Sequence, residues 1–77
     1  MVKVVQRGRY RIYVYVEVGG PHHHPHCHVY WPDGSAAVEL DSGRVLKGHD
    51  LPAEARRLFE EYQTLLENAW KDLNEHD

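Results

Sequence analysis

Several features that would reveal the class of a small protein are absent from this sequence. There is one cysteine, so no disulfide can form within the chain, and this excludes the disulfide-stabilised secreted domains. No apolar run is long enough for a signal peptide or a membrane span. The Cys-x-x-Cys and His-Glu-x-x-His zinc motifs and a phosphate-binding glycine loop are also missing. We therefore expect a cytoplasmic protein without membrane association, whose 77 residues form a single domain, 1–77.

Charge is spread unevenly along the chain. Residues 1–31 contain four basic and one acidic residue, whereas residues 32–77 contain five basic and eleven acidic residues. A basic first half and an acidic second half favour an anionic ligand on one side of the molecule. The same distribution is equally typical of a small soluble domain with ordinary polar surfaces.

The strongest chemical signal is a cluster of histidines. Five of the seven histidines lie within residues 22–28, where they are separated only by a proline and the single cysteine. Histidine combines acid–base chemistry near neutral pH with metal ligation, so this cluster marks the candidate site. The clustered histidines are His22, His23, His24, His26 and His28.

Alternating apolar residues predict β-strands in the first half of the chain. In Tyr10–Val18 the apolar side chains occupy every second position, as expected for a strand with one buried face. Turn residues, including Gly8 and the Pro32–Ser35 segment, separate the runs. The predicted strands are Val2–Val5, Tyr10–Val18, His26–Trp31 and Ser35–Leu40, with Arg44–Lys47 as a candidate for a last short strand.

The last third of the chain predicts one helix over Leu51–Asn74, with Asp50 or Leu51 as the N-cap and Pro52 in the first turn. Apolar residues recur there at helical spacing, and this stripe is more typical of a core face than of a partner surface. Trp31 and Trp70 are likewise expected in the core. The predicted fold class is α+β: an antiparallel sheet of about four strands with one long C-terminal helix packed on one face.

The alternation also predicts a polar face on the other side of the sheet. If Cys27, Val29 and Trp31 face the core, then His26 and His28 face the opposite way. The same register brings these histidines beside a set of possible binding residues, which are Arg11, Tyr13, Tyr15 and Tyr30.

Three functions are compatible with this face, and the first is metal binding. His26 and His28 project to one side of a strand and can chelate one ion, with a third ligand from His22, His23, His24 or His49. Zinc or another divalent transition metal would suit imidazole ligands. The alternative is an exposed polar loop that binds metal only adventitiously.

The second function is metal-independent RNA cleavage, with His26 and His28 as catalytic acid and base and with arginine and tyrosine around the phosphate. The third is binding without catalysis. Tyrosines beside arginine and histidine form the kind of surface that holds single-stranded RNA, and they would equally suit a protein partner. The structural alternative is cross-strand aromatic pairing that only stabilises the sheet.

The sequence resembles the small bacterial family known as domain of unknown function four-one-six-zero. The resemblance is carried by the Tyr-Arg-Ile-Tyr-Val-Tyr strand at residues 10–15, by the segment from Pro25 to Val29, and by the helix with Leu65-Leu66-Glu67-Asn68-Ala69-Trp70. It implies that the His-x-His pair, here His26 and His28, is the recurrent polar element.

The resemblance also implies a two-gene cassette, because members are often encoded beside another small domain. We therefore expect a small binding or regulatory domain, of toxin–antitoxin type, with a partner protein from that cassette or RNA as its ligand. The alternatives are a ribonuclease and a metal-binding protein. A small core and a long apolar helix also predict a homodimer.

Overall fold

The computed structural model describes residues 2–15 and 25–74, which form five strands followed by two helices. The strands are β1 (Val2–Arg7), β2 (Tyr10–Val14), β3 (His26–Trp31), β4 (Gly34–Glu39) and β5 (Val45–Gly48). The helices are α1 (Ala53–Glu61) and α2 (Gln63–Asn74). The strands form one antiparallel sheet in the order β1-β2-β3-β4-β5, so each strand pairs with its neighbour in sequence. The predicted α+β class is confirmed.

Short turns produce this order. The β1–β2 turn contains Gly8, whose φ of 58° lies in the left-handed region that glycine adopts without steric cost. Pro32 and Asp33 form the turn between β3 and β4, as their residue types predict. Between β1 and β2 the register shifts at a bulge that lies between Lys3 and Val5.

The helices cover one face of the sheet and close a single apolar core. Alternate residues of the strands point to this face, which explains why Ile12, Val14, Cys27 and Val29 are all fully buried. Trp31 and Trp70 are buried in the same core, as predicted. The other residues of the apolar core are Val5, Ala36, Val38, Leu40, Ala55, Leu58, Phe59 and Leu66.

The sheet of the described residues has five strands rather than about four. β5 corresponds to the candidate last strand predicted over Arg44–Lys47, and it pairs with β4 through its backbone while it contributes only Val45 to the core. β1 extends to Arg7, two residues beyond its predicted end.

The single helix predicted over Leu51–Asn74 is two helices. The helical conformation is interrupted at Tyr62, where φ is −107° and ψ is 14°. The Tyr62 N–H donates to the carbonyls of both Leu58 and Phe59, at 3.2 Å each. An unbroken helix of that length would be a straight rod of about 36 Å. The sheet beneath it is twisted, because each strand is rotated relative to its neighbour. Both helices nevertheless bury the same apolar stripe, so the sequence pattern is continuous across the break.

The predicted N-cap was also wrong. Pro52, rather than Asp50 or Leu51, occupies the N-cap of α1, and no side chain caps the helix there. Of the apolar stripe, Leu65 is the exception to burial, with 49% of its surface exposed. The predicted strand residues Val16–Val18 lie outside the described residues, as do His22, His23 and His24. Within residues 2–15 and 25–74, no helix is long and apolar enough to cross a membrane.

Candidate functional site

The face of the sheet opposite the helices carries the histidines and tyrosines together. Cross-strand register pairs Arg11 with Tyr30 and Tyr13 with His28, so these residues share one side of β2 and β3. The buried residues of β3 alternate with half-buried ones, which places His26, His28 and Tyr30 away from the core. We call this surface the open face. Its residues are Arg11, Tyr13, Tyr15, His26, His28 and Tyr30. The sequence analysis predicted these residues on one face from the same alternation of apolar and polar positions.

Four side chains of the open face enclose a shallow depression of about 230 Å³, and they are Arg11, Tyr13, Tyr15 and Tyr30. The Tyr13 and Tyr30 rings meet edge to face, with centroids 5.6 Å apart. Tyr13 and Tyr15 lie 6.4 Å apart. These distances are within the range of favourable aromatic pairs, so the rings hold one another in place around the depression.

A hydrogen bond joins the two tyrosine hydroxyls at the centre of the open face. The Tyr15 and Tyr30 oxygens are 3.0 Å apart. This hydrogen bond, together with partial burial, raises the pKa of Tyr15 to about 12. Tyr15 is therefore protonated throughout the physiological pH range, and its hydroxyl serves as a hydrogen-bonding group rather than as a base.

The two described histidines of the cluster are in contact with each other. The His26 and His28 rings have centroids 5.1 Å apart, and the edge of one ring approaches the other. His28 also meets Tyr15 edge to face at 4.5 Å and lies nearly parallel to Tyr30 at 6.5 Å. His28 is thus the residue that connects the imidazole pair to the tyrosines.

Three charged residues that the sequence analysis did not identify lie beside the open face. The register places Lys3 of β1 opposite Tyr13, Lys47 of β5 opposite Ala37, and Glu39 of β4 opposite His26. Lys3 donates a hydrogen bond to Gln6 on the same strand. Bulges in β1 and β5 shift the register, so simple alternation along the sequence could not place these lysines.

The described residues do not assemble a metal site around His26 and His28. In residues 2–15 and 25–74 there is no group of three or more histidine, cysteine, aspartate or glutamate side chains able to hold an ion. Cys27 is fully buried on the core face, and this burial raises the pKa of its thiol to about 12. The alternation of residue types along the predicted strand placed Cys27 on this core face.

His49 lies far from the histidine pair. Its ring is 6.4 Å from that of Trp31, and its Nδ1 is 3.4 Å from the Ser35 carbonyl. Trp31 is at the opposite end of β3 from His26, and a six-residue strand spans about 16 Å between its first and last residues. The third ligand that the metal hypothesis needs would therefore have to come from His22, His23 or His24.

The fold and the site define a small α+β domain whose single sheet is covered by helices on one face and carries histidine, tyrosine and arginine on the other. The chain belongs to the family described as a domain of unknown function (DUF4160), whose model matches residues 10–71. This range includes β2, the open-face residues of β3, and most of α2. No curated protein and no solved structure matched the chain.

Proposed function

We propose that the protein is a small cytoplasmic binding domain that holds single-stranded RNA on its open face and acts as a regulatory component of a bacterial toxin–antitoxin-type pair. The observation that carries this proposal is the depression formed by Arg11 and three tyrosines beside two imidazoles, on the face that the helices leave uncovered. Aromatic rings stack on bases of any sequence, and cations compensate the phosphates.

The charge around the open face supports an anionic ligand. Arg11, Lys3 and Lys47 lie on or beside it, and within residues 2–15 and 25–74 Glu39 is the one acid that the register places there. The whole chain has a formal charge of −3, so this surface is more positive than the molecule as a whole. Such a distribution orients a polyanion towards the open face.

Fluorescence anisotropy with a labelled single-stranded RNA of about twelve nucleotides tests the proposal. Tyr13→Leu retains apolar volume but removes stacking, and stacking is worth about 1–3 kcal/mol per base. We expect a weakening of about tenfold or more for Tyr13→Leu and a smaller one for Arg11→Gln. Tyr62→Leu and Arg44→Gln, which change the same residue types elsewhere, should leave the affinity unchanged. Equal losses of RNA affinity in the two open-face variants and in the two control variants would contradict the proposal.

A ribonuclease is the second candidate, and the contact between His26 and His28 favours it. Two adjacent imidazoles can divide the roles of acid and base, and the register places the Glu39 carboxylate opposite His26. The test is cleavage of a fluorogenic RNA in EDTA by the protein and by the His26→Ala/His28→Ala variant. Activity retained in the variant would contradict catalysis by this pair.

Binding of zinc or a similar ion stays a prediction, because it depends on His22, His23 and His24. Mass spectrometry of untagged protein, purified without immobilised metal, would measure it. About one ion per chain, lost in the His26→Ala/His28→Ala variant, would establish the site. No bound metal in either protein would contradict it.

A further inference from the structure

A second concave surface lies on the helix side of the sheet, where the β1–β2 hairpin meets α1. It encloses about 760 Å³. Residues 7–10 of the hairpin form one wall, and one face of α1 forms the other with Glu54, Arg57, Leu58 and Glu61. These helix residues are three or four positions apart, so they share one side of α1. We call this surface the hairpin groove.

One arginine of the groove is fully engaged. Arg7 donates to both carboxylate oxygens of Glu61, at 3.2 and 3.3 Å, and to the Tyr62 hydroxyl at 2.7 Å. Its guanidinium carbon also lies 5.5 Å from the centroid of the Tyr62 ring. The hydrogen bond to Glu61 is the main cause that raises the pKa of Arg7. This pair links the hairpin to α1, and because it joins one positive and one negative charge it adds nothing to the net charge of the groove.

Two other arginines of the groove have no such partner. Among the described residues, 2–15 and 25–74, neither Arg9 nor Arg57 forms an ion pair or a side-chain hydrogen bond, although Glu54 is one helical turn from Arg57. Once Arg7 and Glu61 neutralise each other, two guanidinium groups face one carboxylate. The groove is therefore net positive, and the buried Leu58 and half-buried Tyr10 give it an apolar part.

We infer that the hairpin groove binds a small organic anion, one that carries a phosphate or carboxylate group for Arg9 and Arg57 and an apolar or ring portion for Tyr10 and Leu58. Guanidinium groups match both anions with paired hydrogen bonds. The volume of the groove is within the range of about 300–1,000 Å³ that small-molecule sites occupy. A groove of this size is too large for a bare inorganic ion. This site is on the opposite side of the sheet from the open face and does not depend on the RNA proposal.

Calorimetric titration at low salt with adenosine 5′-monophosphate, with benzoate and with uncharged adenosine tests this inference. Saturable binding of the nucleotide alone would identify a phosphate site, and binding of benzoate alone a carboxylate site. Adenosine should not bind, because it lacks the charged group. Binding of all three with equal affinity, or of none, would overturn the inference.

Matched variants locate the binding. Arg9→Gln/Arg57→Gln should lower the affinity at least tenfold, whereas Arg44→Gln should not change it. Glu54→Gln should raise the affinity several-fold, because it removes the one unpaired negative charge from the groove. Tyr13→Leu, on the open face, should have no effect. A loss of affinity in Glu54→Gln, or an equal loss in Arg44→Gln, would contradict the inference. All these side chains are exposed or on the opposite face, so unchanged thermal unfolding would confirm that each variant is folded.

Discussion

At the scale of single residues, the hydroxyl pair of Tyr15 and Tyr30 makes a prediction about pH. Tyr30→Phe removes the hydrogen bond that is the main cause of the raised pKa of Tyr15, so that pKa should fall from about 12 towards the ordinary value of about 10. Phenolate absorbance, recorded as pH rises, measures the change. Tyr62→Phe, which removes a hydroxyl on the helix side, should leave the late titration step in place; its disappearance there would contradict the assignment.

The same pair sets the direction of a stability change. Because the pKa of Tyr15 is higher in the folded protein than in the unfolded chain, the folded state holds its proton more strongly. The stabilising contribution is fully present below about pH 10 and is lost as pH rises through about 12. Denaturant unfolding at pH 9 and pH 11.5 should show this loss in the natural sequence, and a smaller loss in Tyr30→Phe.

Two glycines with positive φ should differ sharply in their tolerance of a side chain. A Cβ at Gly48, where φ is 97°, would collide with the Ser35 carbonyl oxygen and come within 3.0 Å of the Ala36 Cα. A Cβ at Gly8 would meet no atom within 4 Å. Gly8→Ala should therefore cost about 1 kcal/mol from its backbone conformation alone, and Gly48→Ala should cost at least twice that. Equal losses in chemical denaturation would contradict this explanation.

At the scale of elements, Gln63 fixes the start of α2 against the turn that follows β4. Its side-chain amide donates to the Leu40 carbonyl at 2.6 Å and to the Asp41 carbonyl at 3.3 Å. Gln63→Ala should lower the free energy of unfolding by about 1 kcal/mol, because it leaves the Leu40 carbonyl without this donor. The neighbouring Thr64→Ala, at an exposed position, should stay within about 0.5 kcal/mol of the natural sequence. Urea unfolding of both variants decides between a specific contact and simple helix propensity.

The elements also show what the sequence could predict. β3 was predicted with its observed bounds, because the residue types along these six positions alternate in step with the burial of their side chains. The open face followed from that alternation and from the partner strand. The break at Tyr62 could not be predicted, since the apolar stripe continues across it. The hairpin groove was missed for another reason: Arg9 and Arg57 are 48 positions apart, and no periodic pattern relates them.

At the scale of the whole molecule, the homodimer remains a prediction, although part of its basis has changed. The apolar helical stripe is mostly buried within the single chain, and among residues 2–15 and 25–74 the exposed large apolar residues, Val2, Leu46 and Leu65, belong to separate elements. A dimer would therefore use polar surface or a sheet edge rather than the helices. Light scattering should give a mass near twice 9.0 kDa, and a mass near 9.0 kDa would contradict the prediction.

The asymmetric charge of the molecule gives the last prediction. A protein with a formal charge of −3 binds a polyanion only through a locally positive surface, so the strength of RNA binding should report the few cations around the open face. Three such cations, Lys3, Arg11 and Lys47, would give a slope of log affinity against log salt concentration of about −2, since each phosphate contact on a single strand contributes about −0.7. Lys47→Gln should reduce the slope to about −1.4 by the same relation, while Arg44→Gln should keep the original slope. A slope near zero would mean that the open face binds RNA without these cations, and an equal change in both variants would mean that the RNA lies elsewhere on the molecule.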